Sequence, residues 1–313
     1  MRPRLRWSDL PESVRLRVQH RLGAEVSWTI PCTGGFSPST AEIVATDAGR
    51  RLFVKAVRAE DNPDSPRMNR AEAHALAHIP SSAPVPAFVD AFAEGDWFVL
   101  LTEVGPGQTP AQPWTGDDLD HVLDALDHLQ SVCTPNPVPD LPRAADALAD
   151  DFLGFSRIAE DRPPGLDPWI LEHLRDLELA EERGLAAIDG ETLCHLDVRA
   201  DNLLIAPGGG VSVVDWAHAC RGPRWLDALL FLGTVEDRHG ELAVSARIDE
   251  LMDHHHLPRR TGTDVLCAFL GFFVDAARRP DPESIPGLGE HRARYAEWLV
   301  PLIRLRRRTE MRA

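Results

Sequence analysis

The stretch LCHLDVRADNLLIAPGGGVSVVDWAHA, residues 193–219, decides the reading of this 313-residue chain. Two short apolar runs, LLIA (203–206) and VSVV (211–214), flank PGGG, the pattern of a hairpin with a glycine-rich loop. With 207–210 as the loop, residue 206 pairs with 211, 203 with 214, and Asn202 comes opposite Asp215. Directly opposed side chains have Cβ atoms about 4.5–5.5 Å apart. An amide oxygen and a carboxylate would then meet at the open end of the hairpin, a donor set suited to a hard cation such as Mg²⁺. Asp197 stands five residues before Asn202, in the turn that feeds this end, and His195 would brace that turn. The three glycines are read as a turn and not as a phosphate cradle, because no helix follows them.

Outward from this stretch, the most unusual count concerns lysine. Of the 33 basic side chains, 32 are Arg, and Lys55 is the single Lys. Where charge alone is needed, Arg has replaced it, so the survivor marks a site that wants a compact ammonium instead of a planar guanidinium. Lys55 lies in RRLFVKAV, a β-rich run in which Phe53 and Val57 share its face while Leu52, Val54 and Ala56 line the other. An ammonium in such surroundings needs a partner or pays for desolvation. The helical segment RMNRAEAHALAHI supplies one. Met68, Leu76 and Ile79 recur at helical spacing, and Glu72 interrupts their apolar stripe.

Strand signals fill the first hundred residues around that one helix and an opening helix at about 9–22. GPGQTPAQPW then breaks the pattern, which divides the chain into a β-rich part, 1–104, and a mainly helical part, 105–313. The helical segments are read at 117–131, 143–160, 168–188, 225–238, 241–256, 262–278 and 287–308. Apolar residues are 43% and charged residues 26%, as in ordinary soluble proteins with a core of their own. The formal net charge of −16 argues against nucleic acid as a partner, since that needs clustered Lys and Arg, and it suits a cationic small molecule. No apolar run approaches the ~20 residues of a bilayer span, so no membrane is expected. Five cysteines without a CxxC, and a start lacking an apolar signal core, point to reduced thiols and the cytoplasm.

H-x-D-x-x-x-x-N at 195–202, followed by VVDW at 213–216 and by Gly222 and Asp227 in G-x-x-x-x-D, resembles the aminoglycoside phosphotransferase and choline kinase-like family. Leu196 replaces the usual Gly of H-G-D, and Trp216-Ala217 replaces Phe-Gly. The resemblance implies an α+β, two-lobed protein-kinase-like fold with a small β-rich N-terminal lobe and a larger helical C-terminal lobe. It also implies the activity, transfer of the γ-phosphate of ATP or GTP to a small-molecule hydroxyl with Mg²⁺ as cofactor. Asp197 would be the catalytic base, and Asn202 and Asp215 the metal ligands. Lys55, positioned by Glu72, would hold the nucleotide phosphates, and Asp227 would steady the catalytic loop. The turn Thr33-Gly34-Gly35-Phe36-Ser37 resembles the family's nucleotide-covering turn, which makes Gly34, Gly35 and Ser37 nucleotide contacts. LLTEVGPG (100–107) falls at the family's hinge, where backbone groups from Thr102 to Val104 would meet the base. Arg199, two residues after Asp197, matches the position of a lysine in protein kinases and is assigned to charge on the transferring phosphoryl group.

An aminoglycoside or related antibiotic is the leading acceptor. A metabolic kinase of the same fold and a nucleotide-binding pseudokinase scaffold remain open, although the complete set of Lys55, Glu72, Asp197, Asn202 and Asp215 argues against a scaffold. His254, His255 and His256 are read as a solvated helix end, because adjacent helical side chains point in different directions.

Overall fold

Leu52, Val54 and Ala56 alternate along Arg51–Arg58 and are completely buried, which makes this strand, β3, the middle of a sheet. The computed structural model describes residues 5–32, 40–58, 60, 64–282 and 286–310. Around β3 run β1 (Trp28–Pro31), β2 (Thr40–Ala45), β4 (Phe88–Glu94) and β5 (Trp97–Thr102), all antiparallel, in the order β1-β2-β3-β5-β4. Helix α1 (Glu12–Leu22) lays Val14, Val18 and Leu22 against Val44, Leu52 and Val54 on one face. Helix α2 (Ser65–Leu76) serves the opposite face, where Lys55 projects. Its buried stripe is Ser65, Asn69, Glu72 and Leu76, with Met68 only half-buried, so polar groups occupy more of that face than the apolar pattern implied.

The remaining strands are short: β6 (Thr192–Cys194), β7 (Leu203–Ile205), β8 (Val211–Val213) and β9 (Cys220–Gly222). The β7–β8 hairpin is fastened to the segment that follows β5. Gln108 and Ile205 exchange both backbone hydrogen bonds, at 3.1 and 2.8 Å, and Val213 N–H donates to Pro84 C=O at 2.8 Å. Residues 1–111 and 200–219 therefore cluster as one compact unit, and 112–199 with 220–313 as another. This grouping differs from a single cut at 104/105, because hydrogen bonds between distant segments decide it and sequence proximity does not.

The second unit is built from α3 (Gly116–Val132), α4 (Ala144–Ala147), α5 (Gly154–Asp161), α6 (Pro168–Glu172), α7 (Leu174–Ala187), α8 (Leu226–Gly233), α9 (Val244–His254), α10 (Arg259–Ala277) and α11 (Leu288–Glu310), with β6 paired to β9. Helix α10 packs against α5, α7 and α11. The expected helix at 143–160 is broken, and the reason lies elsewhere in the chain. A Cβ on Gly154 would stand 2.0 Å from the Gly271 carbonyl oxygen, so α5 can approach α10 only by beginning at a glycine. The fully buried Glu181 then caps α5, accepting hydrogen bonds from Phe155 N (2.7 Å) and Ser156 N (3.1 Å). The helix read at 225–238 stops at Gly233, and the Asp237 carboxylate turns to accept from Leu242 N and Val244 N at the start of α9. Among the described residues, no helix is long and apolar enough to cross a membrane.

Gly107 has φ +98°, and a Cβ there would lie 2.3 Å from the Ile205 carbonyl carbon. Gly107→Ala is expected to destabilise the protein by about 2–4 kcal/mol in chemical denaturation, through backbone strain and overpacking. An unchanged unfolding midpoint would mean that the Gln108–Ile205 bridge tolerates movement.

Candidate active site

In the first unit, the Lys55 ammonium lies 2.7 Å from Glu72 Oε2 and 2.9 Å from Asp215 Oδ1. Its side chain is 11% exposed and that of Glu72 5%, whereas that of Asp215 is 42% exposed. Burial works against the charge on Lys55, but the two carboxylates more than offset it, so its pKa is raised above the ordinary lysine value. For Glu72, burial pushes the carboxyl up while the ammonium pulls it down. The Trp216 backbone N–H also faces the Glu72 carboxylate and lowers its pKa, as the ammonium does.

The hairpin register is shifted by one residue from the expected one. Leu203 pairs with Val213, Leu204 with Ser212 and Ile205 with Val211, and Val214 N–H donates to Asn202 C=O at 3.0 Å. Asn202 thus stands opposite Val214, not Asp215. The cause is the loop. Gly209 N–H donates to Ala206 C=O and Ala206 N–H to Gly210 C=O, both at 2.8 Å, with Gly209 at φ +82°. That is a type I turn followed by a left-handed glycine, with Pro207 in its favoured position, and it takes three loop residues instead of four. Asp215 leaves the ladder at φ +67°, a conformation that Asp tolerates better than most residues. This turn aims its carboxylate at Lys55. The completely buried Trp216 anchors it by donating Nε1–H to Val213 C=O at 3.1 Å. Asn202, at the end of a short 3₁₀ turn, is buried.

In the second unit, the HLD turn is built around a buried carboxylate. Asp227, at the start of α8, accepts from His195 N (2.8 Å) and Leu196 N (2.9 Å). Burial pushes its carboxyl up, and His195 with the two N–H donors works against that. His195 is also fully buried, and its Nδ1 accepts from Asp197 N at 3.2 Å. Leu196 sits at φ +65°, where glycine would be unstrained. The Gly-to-Leu departure is therefore met by holding the leucine in a left-handed conformation through the two bonds to Asp227, at a cost of about 1–3 kcal/mol. Asp197, with its side chain 32% exposed, has Arg199 Nε 3.4 Å from its Oδ1.

The profile of the phosphotransferase enzyme family matches residues 28–259, a span containing both arrangements. The chain belongs to this family. It is 29% identical over 180 residues to an aminoglycoside 3′-phosphotransferase of Streptomyces fradiae, a match covering 53% of this chain and 60% of that relative's length. Its fold is that of solved aminoglycoside phosphotransferases, the two-lobed protein-kinase-like α+β fold. A structure from Alicyclobacillus acidocaldarius superposes with a TM-score of 0.59 at 18% identity, covering 92% of this chain and 93% of that one. An aminoglycoside phosphotransferase mutant in ternary complex with ADP and hygromycin B gives 0.60 at 13% identity, covering 93% and 98%. A spectinomycin phosphotransferase in complex with ADP and spectinomycin gives 0.58 at 10%, covering 93% and 97%.

In the first unit, Lys55, Glu72 and Asp215 come together, and Asn202 belongs to the same unit. Thr102 is the last ladder residue of β5, flanked by Phe53 and Phe88, and Glu103 N–H is committed to Ala87 C=O at 2.8 Å. Val104 follows, half-buried. Gly34, Gly35 and Ser37 lie outside the described residues. Two residues went unassigned in the sequence. Phe53, half-buried two positions before Lys55 on the same face, is readable from strand alternation. His291 on α11, whose Nε2 is 3.5 Å from Arg199 NH1, carries no local signal at all.

Asp227→Ala would leave two backbone N–H groups without their acceptor and is expected to cost about 2–5 kcal/mol of stability. Asp227→Asn, which keeps one carbonyl oxygen, should lose less. Equal melting temperatures for Asp227→Ala and wild type would show that the two bonds do not hold the turn.

Proposed function

We propose that the chain transfers the γ-phosphoryl group of ATP or GTP to a hydroxyl of an aminoglycoside or related aminocyclitol. The observation that carries this reading is the buried Lys55 ammonium held between Glu72 and Asp215. A charge is maintained there against desolvation, on a sheet face where Val57 and Leu100 are buried and Phe53 half-buried, and a nucleotide phosphate is the kind of group that offsets the cost. Lys55 neutralises phosphate charge, Glu72 keeps it extended, and backbone groups from Thr102 to Val104, with Gly34, Gly35 and Ser37, hold the rest of the nucleotide. Phe53 offers its ring to the base.

Asp197 is the general base. The acceptor oxygen bonds to the γ-phosphorus as the bridging β–γ oxygen departs with the nucleoside diphosphate, and the hydroxyl proton passes to the Asp197 carboxylate. Arg199, beside it, stabilises charge on the γ-phosphoryl oxygens. The donor set fits Mg²⁺. Asn202 and the half-exposed Asp215 offer hard oxygen atoms and would hold the ion. Bound there, it would supply positive charge against the nucleotide's phosphates.

The name of the Streptomyces fradiae relative and the net charge of −16 both support a cationic acceptor. A panel of aminoglycosides and other hydroxyl-bearing metabolites, incubated with Mg·ATP or Mg·GTP and read by mass spectrometry, is expected to give a phosphorylated aminoglycoside. Phosphorylation of only a metabolite would replace the acceptor class. Asp197→Ala should lower kcat by about 10²–10⁴-fold and leave nucleotide affinity within a few-fold. Asp215→Ala should abolish metal-dependent nucleotide binding and turnover together. Lys55→Arg retains the charge but not the compact donor, so it should still turn over poorly; full activity in that variant would remove Lys55 from the site.

A further inference from the structure

With Asp197 as base and an aminoglycoside as acceptor, on which this rests, we infer that Arg199 determines acceptor specificity by excluding an ammonium from the carbon next to the reacting hydroxyl. Arg199 Nε is 3.4 Å from Asp197 Oδ1, and its NH1 is 3.5 Å from Nε2 of His291 on the first turns of α11. The imidazole is packed edge-on against the ring of Tyr295, which is buried, with ring centroids 4.8 Å apart. The guanidinium is thus held at one end by the base and at the other by a helix 92 residues further along the chain. Its side chain is 19% exposed and that of Asp197 32%, so the charges are only partly screened and both remain open to a ligand.

The consequence follows from where a substrate must stand. A hydroxyl that gives its proton to Asp197 comes within about 2.6–3.2 Å of the carboxylate. A substituent on the adjacent carbon is then carried to within a few ångströms of the same group. An unpaired carboxylate would attract an ammonium at that point, and the whole acceptor class is rich in ammonium groups. Joined to Arg199, the carboxylate no longer attracts an ammonium as an isolated charge would, and an ammonium that comes nearer the guanidinium than the carboxylate is repelled. At the effective dielectric of a partly exposed site, losing that attraction and meeting the nearer cation is worth about tenfold in discrimination. The chain therefore favours aminoglycosides whose reacting hydroxyl is flanked by a hydroxyl or by carbon. Net protein acidity can still attract the other ammonium groups of the same acceptor.

Kanamycin A and kanamycin B test this directly, because they differ at the carbon beside the 3′-hydroxyl, which bears a hydroxyl in the first and an amine in the second. The measurement is kcat/KM for both with wild type, Arg199→Gln, Arg199→Lys and His291→Ala, with the product's phosphate located by NMR. Wild type is expected to favour kanamycin A by about tenfold or more. Arg199→Gln should slow both substrates through the loss at the phosphoryl group, a common factor that cancels in their ratio. The B-to-A ratio should rise about fivefold or more in Arg199→Gln, stay near wild type in Arg199→Lys, and rise part-way in His291→Ala. A ratio within about twofold of wild type in Arg199→Gln overturns the inference while leaving the acceptor class intact. If wild type phosphorylates neither compound at the 3′-hydroxyl, the inference fails; phosphate found at another hydroxyl leaves the acceptor class standing, and an absence of product from every aminoglycoside overturns that class as well.

Discussion

A buried ammonium is the constraint on which the first unit is organised. Lys55 sits on the central strand of a five-stranded sheet, where any cation must be neutralised by groups that the rest of the chain delivers. Glu72 arrives from α2 and Asp215 from the end of β8, 17 and 160 residues away. Satisfying one charge therefore fixes a helix against the sheet and brings a distant hairpin into the same unit. Breaking a buried pair of this kind by removing one partner typically costs about 3–5 kcal/mol, since the other is left charged and dry. The backbone follows the same demand: Asp215 takes a left-handed conformation, and Trp216 is locked beneath it by its indole hydrogen bond.

The second unit solves a different problem with similar means. The turn carrying Asp197 has no regular secondary structure to hold it, and a buried carboxylate from α8 takes the place of a ladder. The helical framework behind it is stapled by arginine. Arg183 grips Asp264 with two bonds at 2.7 and 2.8 Å, joining α7 to α10. Asp275 is enclosed by Arg157, Arg278 and Arg279; burial pushes its carboxyl up, and the guanidinium groups more than reverse this, so it stays ionised below the usual carboxylate range. Such forked, multi-donor contacts suit a guanidinium better than an ammonium. A chain with 32 arginines can build its framework this way and keep its one lysine for the position that needs a point charge.

These two solutions explain why Leu196 is tolerated at a left-handed position that favours glycine. The strain of a left-handed leucine is local, while the two hydrogen bonds to Asp227 are made by backbone atoms that any residue possesses. The identity of the side chain is therefore secondary to the presence of the carboxylate beneath it. Helix α5 shows the opposite case. There the glycine is indispensable, because the atom that a side chain would strike is a carbonyl oxygen of α10.

Alternation in RRLFVKAV, the lone lysine, the acidic interruption of an apolar helix face and the spacing of HLDVRADN with VVDW are all local patterns, and each follows from chemistry that neighbouring residues impose. They are enough to indicate the fold class and the pairing of Lys55 with Glu72. The hairpin register differs by one residue from the one the apolar pattern implies, since the choice between a three- and a four-residue loop turns on a single left-handed glycine. The return of residues 200–219 to the first unit, the break at Gly154 and the contact between Arg199 and His291 are not legible in the sequence. Each depends on which distant surfaces meet. Sequence periodicity determines what a segment must bury; only tertiary packing decides against which partner, because that choice is made by shape and charge across spans of a hundred residues.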